Sequence, residues 1–145
     1  MERCSTFLGV AAASLLTGCP EEPPKFDTPM TLGGVEVSAA VLNAGHRTYE
    51  MRCASCHGHD GAGTGPASTG LAQAPRDFRA ANFKYKSTPG DALPTDDDLD
   101  ITLRKGRLDG GMPAFGGLAD DDRAAVIQYL KTFSPRWTAA PTEAS

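Results

Sequence analysis

Apolar and small residues recur at three- and four-residue intervals in three stretches of the chain, and helix-boundary signals frame each one. Ser38 can cap a helix whose inward positions are Val41, Leu42, Gly45, Thr48 and Tyr49 and which runs on through Arg52. Thr95 caps a second, with Asp96, Asp97 and Asp98 at its positive N-terminal end and Lys105 followed by Gly106 at its close. A third begins near Asp120, where three consecutive Asp load the first turn. Val126, Tyr129 or Leu130, and Phe133 form its stripe until Ser134 and Pro135 end it. Between the first and second helices, Gly58, Gly61, Gly63, Gly65 and Pro66 forbid regular structure and predict a loop. No segment shows a convincing period of two, and there is no internal repeat. The expectation is an all-α domain.

The ends of the chain follow different rules. Arg3 and the apolar run from Phe7 to Leu16 have the length of a signal-peptide core, well short of the about 20 residues that span a bilayer. The run ends in Leu16, Thr17, Gly18 and Cys19, which resembles the bacterial lipoprotein box, with Cys19 as the lipidated residue. Residues 1–18 are therefore read as a lipoprotein signal peptide and residues 19–36 as a Pro-rich extended tether, with a reach on the order of 50 Å. Residues 37–134 are the folded domain and residues 135–145 a flexible tail. The expected location is the periplasmic side of a bacterial membrane, lipid-anchored, with no transmembrane helix required.

Composition limits the partners. With 145 residues, a formal charge of −4 and pI ≈ 5.3, the chain lacks the concentrated basic face that nucleic acid needs. Charge is unevenly spread: six bases lie between Arg47 and Lys86, whereas Asp91 to Asp100 holds five Asp and no base. Such a dipolar surface suits orientation against a charged redox partner. Aromatics make up only 7% of the chain, against 16 Gly and 11 Pro, so a large part is loop and there is room for a cofactor to fill the core.

The cysteines say which cofactor. Of four, Cys4 lies in the segment expected to be removed, Cys19 is the lipid site, and the others form the run Cys53, Ala54, Ser55, Cys56, His57. Two thiols three apart followed at once by His is the attachment signature of haem c, in which both sulfurs add to the vinyl groups and the His reaches the iron. A zinc site would need two further ligands, and only His46 and His59 remain as histidines. A thioredoxin-like pair would need a strand-rich setting.

From about Val37 to Phe133 the chain resembles a class I cytochrome c, with Gly45 and Tyr49 four apart before the haem motif and Val126 and Tyr129 three apart in the last helix. The resemblance implies a class I fold of three to five helices wrapped around one covalent haem. It also implies a close crossing of the first and last helices, in which Gly45 meets the Tyr129 face.

Met112 is the expected sixth ligand. Met1 is in the signal, Met30 in the tether and Met51 in the helix that carries Cys53, whereas Met112 follows Gly110 and Gly111 and precedes Pro113 in a loop that resembles the distal loop of that family. His46 and His59 are rivals in principle, each too near His57 in the chain to reach the opposite face easily. Arg76, Lys84 and Tyr85 are candidates to contact the haem propionates, and Phe78 and Phe83 to wall the pocket. With His57 and Met112 both engaged, no position is left open to oxygen or peroxide. The expected function is one-electron transfer in a bacterial respiratory chain by an electron carrier that is not itself an enzyme. The alternatives are a haem-bearing subunit of a larger respiratory complex or dehydrogenase, or a small haem peroxidase.

Overall fold

In a computed structural model of the protein, residues 25–139 are described. The three expected helices form where their boundary signals place them, two of them behind side-chain caps. Helix α1 spans Ala39–Arg52, and the Ser38 hydroxyl accepts from the Val41 amide at 3.3 Å. A single turn, α2 (Ala54–His57), follows after Cys53. Helix α3 is Asp96–Lys105 and α4 is Asp120–Lys131, with short 3₁₀ turns at Pro66–Ser68 and Pro135–Trp137. Apart from one short hairpin the fold is all-α, as the sequence leads one to expect.

Helices α1 and α4 cross at Gly45. A Cβ built there would overlap the Ala125 carbonyl oxygen and stand 2.7 Å from Tyr129 Cβ, so only glycine lets the two backbones approach this closely. Both candidates for the inward stripe of α4 are buried. Tyr129 packs at the α1 crossing and Leu130 faces a cavity on the other side. The α4 helix itself stops at Lys131, and Phe133 follows in a turn that brings its ring within 5.1–5.2 Å of Tyr49 and Tyr129.

Two stretches expected outside the domain pack onto it. The expected tether folds from Lys25 onward: the Lys25 ammonium donates to the Tyr129 hydroxyl at 2.7 Å, and Phe26 exchanges two hydrogen bonds with the Asn43 side chain. Strands β1 (Met30–Leu32) and β2 (Val35–Val37) then form an antiparallel hairpin with Leu32 opposite Val35. Its two-residue turn is Gly33 and Gly34, both at positive φ, as hairpin twist demands. Leu32 and Val37 point into the core while Val35 and Glu36 face outward. The expected tail is likewise anchored: Trp137 is buried, its carbonyl accepts from the Gly33 amide at 2.7 Å, and Arg136 donates to the Ala81 carbonyl. Burial of Leu32, Val37 and Trp137 outweighs the freedom of an extended segment, at about 1.5–3 kcal/mol for each large side chain.

The acidic half of the molecule is structural. Thr95 and Asp98 form a reciprocal capping box, and Asp98 also accepts from the Ser87 amide and hydroxyl. Asp100 holds Arg104 and the buried Arg123, which also reaches Asp120. The Thr95 amide, followed by the Ser87 bonds, keeps the Asp98 carboxyl below its usual range, and Arg104 followed by Arg123 does the same for Asp100. A carboxyl whose folded pKa is depressed adds stability above its unfolded value, and that stability disappears as pH falls through the folded value. The melting temperature is therefore expected to hold from pH 7 to about 5 and to fall below about pH 4. Asp98→Asn should flatten that acid limb in circular-dichroism melts; an unchanged limb would show that the cap carries none of it.

Candidate functional site

The C-terminus of α1 delivers the cysteine motif. The Cys53 amide donates to the Tyr49 carbonyl at 2.8 Å, which closes α1, and the Cys53 carbonyl accepts from both Cys56 and His57 at 3.1 and 2.9 Å. That turn brings Cys53, Cys56 and His57 to the wall of one cavity. The glycine-rich loop then wraps the motif: Gly63 donates to the His57 carbonyl, Gly65 to that of Cys56, and the Tyr49 hydroxyl to that of Gly58 at 2.7 Å. Both thiols are free. Burial, followed by the neighbouring Cys56, pushes the Cys53 thiol up to about 11.

His57 is held in one orientation. Its Nδ1 lies 3.1 Å from the Arg76 carbonyl oxygen and its ring stacks on Phe78, with centroids 4.4 Å apart. The ring is buried, which lowers its proton affinity. A neutral imidazole that donates from Nδ1 keeps the Nε2 lone pair for a metal, the arrangement by which outer hydrogen bonds orient ligating histidines.

Met112 reaches the same cavity from the opposite side of the chain order. The loop that carries it is pinned at its base by a main-chain pair in which Arg107 donates to Met112 at 2.8 Å and Met112 to Arg107 at 3.0 Å. The Phe115 amide donates to the Leu103 carbonyl, and Gly106 donates to Thr102 at the end of α3. Gly111 turns at φ 92°, which excludes other residues there. Leu99 and Leu103 of α3, Val126 and Leu130 of α4, and Phe78 and Phe83 form apolar walls.

The cavity measures ≈ 250 Å³. A single water needs only about 10–15 Å³ of such space, so this is no packing defect. Apolar walls, two free thiols, a neutral imidazole and a thioether fit a flat apolar macrocycle bound through sulfur and iron. Arg76, Lys84 and Tyr85 line the cavity as well, so all the residues expected around the haem come together. Cys19 lies outside the described residues.

The rival ligands do not reach the site. His46 packs against the Tyr129 ring and lies 3.5 Å from Glu50, and His59 is an exposed side chain on the other Glu50 oxygen. Met51 is 71% exposed. Sequence reasoning overlooked Arg52 and Arg107, which also line the cavity. The one signal for Arg107 is a base immediately after the Gly106 that ends α3, five residues before Met112.

The family described as cytochrome C oxidase, cbb3-type, subunit III matches residues 40–130. No curated protein matches the chain. Among solved structures, a chain of the Kuenenia stuttgartiensis reducing HAO-like protein complex is 34% identical, with a TM-score of 0.65 over 70% of this chain. The match covers 46% of that chain, so this protein corresponds to about half of it.

Proposed function

The chain belongs to the family described as cytochrome C oxidase, cbb3-type, subunit III, and is a class I c-type cytochrome with covalent haem c; from that premise we propose a membrane-tethered one-electron carrier of a bacterial respiratory chain. One observation carries the reading: the Cys53, Cys56 and His57 motif and Met112, far from it in the chain order, line a single cavity. Cys53 and Cys56 would hold the haem by two thioether links, and His57 and Met112 would be its iron ligands. Bound haem supplies a reversible ferric–ferrous exchange.

The chain's own residues make that exchange productive. The Arg76 carbonyl and the Phe78 ring keep the His57 imidazole from rotating, and the Arg107–Met112 main-chain pair holds the thioether loop. Apolar walls from α3 and α4 exclude water, so little solvent has to reorganise when the charge changes. A methionine opposite a histidine favours the reduced state relative to two histidines. Arg76 and Lys84, which line the cavity, would pair with the haem propionates.

A lipid on Cys19, the residue that ends the run Leu16, Thr17, Gly18 and Cys19, supplies the membrane anchor. A second reading, a fixed subunit of a larger redox assembly, draws support from the complex that contains the similar Kuenenia chain.

Carbon monoxide separates a carrier from a peroxidase. With both axial positions filled by protein, the reduced holoprotein should keep its spectrum under carbon monoxide and turn over no peroxide. A ready carbon monoxide adduct would overturn the carrier reading and favour the enzyme. In the same cells, Cys19→Ser should move the pigment from the membrane fraction to the soluble one.

A further inference from the structure

Arg107 stands out among the side chains around the cavity. Its guanidinium carbon lies 3.3 Å from the centre of the Tyr85 ring, a close face-to-face stack, and one terminal nitrogen is 3.5 Å from an Asp109 oxygen. Its Nε, however, is fully shielded from solvent and has no hydrogen-bond partner. A buried donor without an acceptor costs about 1–3 kcal/mol, more for a charged group, so a site that keeps one implies an acceptor supplied from outside the chain. Arg107, Tyr85 and Asp109 all line the cavity, so a group bound there is the nearest source of an acceptor from outside the chain.

The backbone of the same residue is paired with Met112 by two hydrogen bonds, at 2.8 and 3.0 Å. Whatever holds the Arg107 side chain therefore also holds the base of the loop that presents the thioether. The stack on Tyr85 fixes the plane of the guanidinium in advance, which lowers the entropy lost when it grips a carboxylate.

We propose that Arg107 is a positioning residue. Its Nε donates to a carboxylate of the haem bound in this cavity and, through its main-chain pair with Met112, locks the distal loop in the closed arrangement. The inference rests on the haem reading above and adds to it a residue outside the Arg76, Lys84 and Tyr85 set. Tyr85 takes a different part here, as the platform for Arg107.

The test uses the full-length holoprotein with Arg107→Gln, Arg107→Lys and Tyr85→Leu, the last keeping the charge while it removes the stack. Two quantities are read: the midpoint potential, and the affinity of added imidazole, which competes with Met112 for the iron. Loss of a positive charge beside the haem disfavours the reduced state, so Arg107→Gln should shift the ferric–ferrous equilibrium about tenfold toward ferric, a fall of about 59 mV for one electron. It should also raise imidazole affinity about tenfold. Arg107→Lys should recover most of the potential but not the imidazole resistance, because an ammonium cannot reproduce the planar stacked donor. Tyr85→Leu should raise imidazole affinity with little change in potential, and it gives a reading even if the Arg107 variants fail to fold.

Unchanged imidazole affinity in all variants would overturn the link to Met112. An unchanged potential in Arg107→Gln would overturn the contact with the haem carboxylate. If the parent protein itself lacked the sulfur-to-iron absorption, the assignment of Met112 would fail instead, so the two failures are distinguishable.

Discussion

Gly45→Ala should lower the melting temperature of the holoprotein by roughly 8 °C or more. At an ordinary helix position the change would stabilise by about 1 kcal/mol, since alanine is the better helix former. Here the new methyl would overlap the Ala125 carbonyl oxygen and lie 2.7 Å from Tyr129 Cβ. A backbone carbonyl inside a helix cannot move aside without shifting α4. Overpacking of this kind costs about 3 kcal/mol, which outweighs the propensity gain and leaves a net loss of about 2 kcal/mol. The damage should extend beyond stability. Helix α1 carries Cys53 at its end and α4 supplies Val126 and Leu130 to the cavity, so a separated pair widens the site. Thermal melts followed at the haem band provide the check, and a melting temperature equal to or above that of the parent would contradict the close crossing.

Met112→Ala should abolish the weak sulfur-to-iron absorption at the red end of the spectrum, convert the ferric protein to a high-spin form and lower the midpoint potential by on the order of 0.1 V. The size of the effect follows from the lack of a substitute. Among the described residues at the cavity wall, Met112 is the one methionine and His57 the one histidine. His46 is packed on Tyr129, and His59 is tied to Glu50 at the surface. Fold stability should change little, because Met112 is only partly buried. A variant with the parent spectrum and potential would show that another side chain is the distal ligand.

The helices were legible because their ends carry chemistry: Ser38, Thr95 with Asp98, and Gly106 act as caps in the structure as they do in the sequence pattern. The hairpin was not, although Gly33–Gly34 is a strong turn signal between apolar residues. Strands of three residues offer barely one alternation each, and the surrounding prolines and acids point to an extended tether. Trp137 was passed over for a similar reason, since Pro135 ends the helical period and says nothing about the chain folding back onto Gly33. At the site, Cys53, Cys56, His57 and Met112 could be read because local spacing and loop type constrain them. Arg107 could not: its side chain is placed by Tyr85, and its backbone by the 107–112 loop, contacts that no periodicity announces.

Covalent attachment of one haem through the Cys53–His57 motif underlies every role assigned at this site. The direct measurement is the denatured mass of the protein made with a working haem-ligation system, together with peptide mapping of the adduct. The expected mass is that of the chain plus one haem, with the added mass on the peptide that contains Cys53 and Cys56 and no pigment released into acidified organic solvent. A chain of unmodified mass whose pigment passes into the solvent, or an adduct on a different peptide, would contradict it.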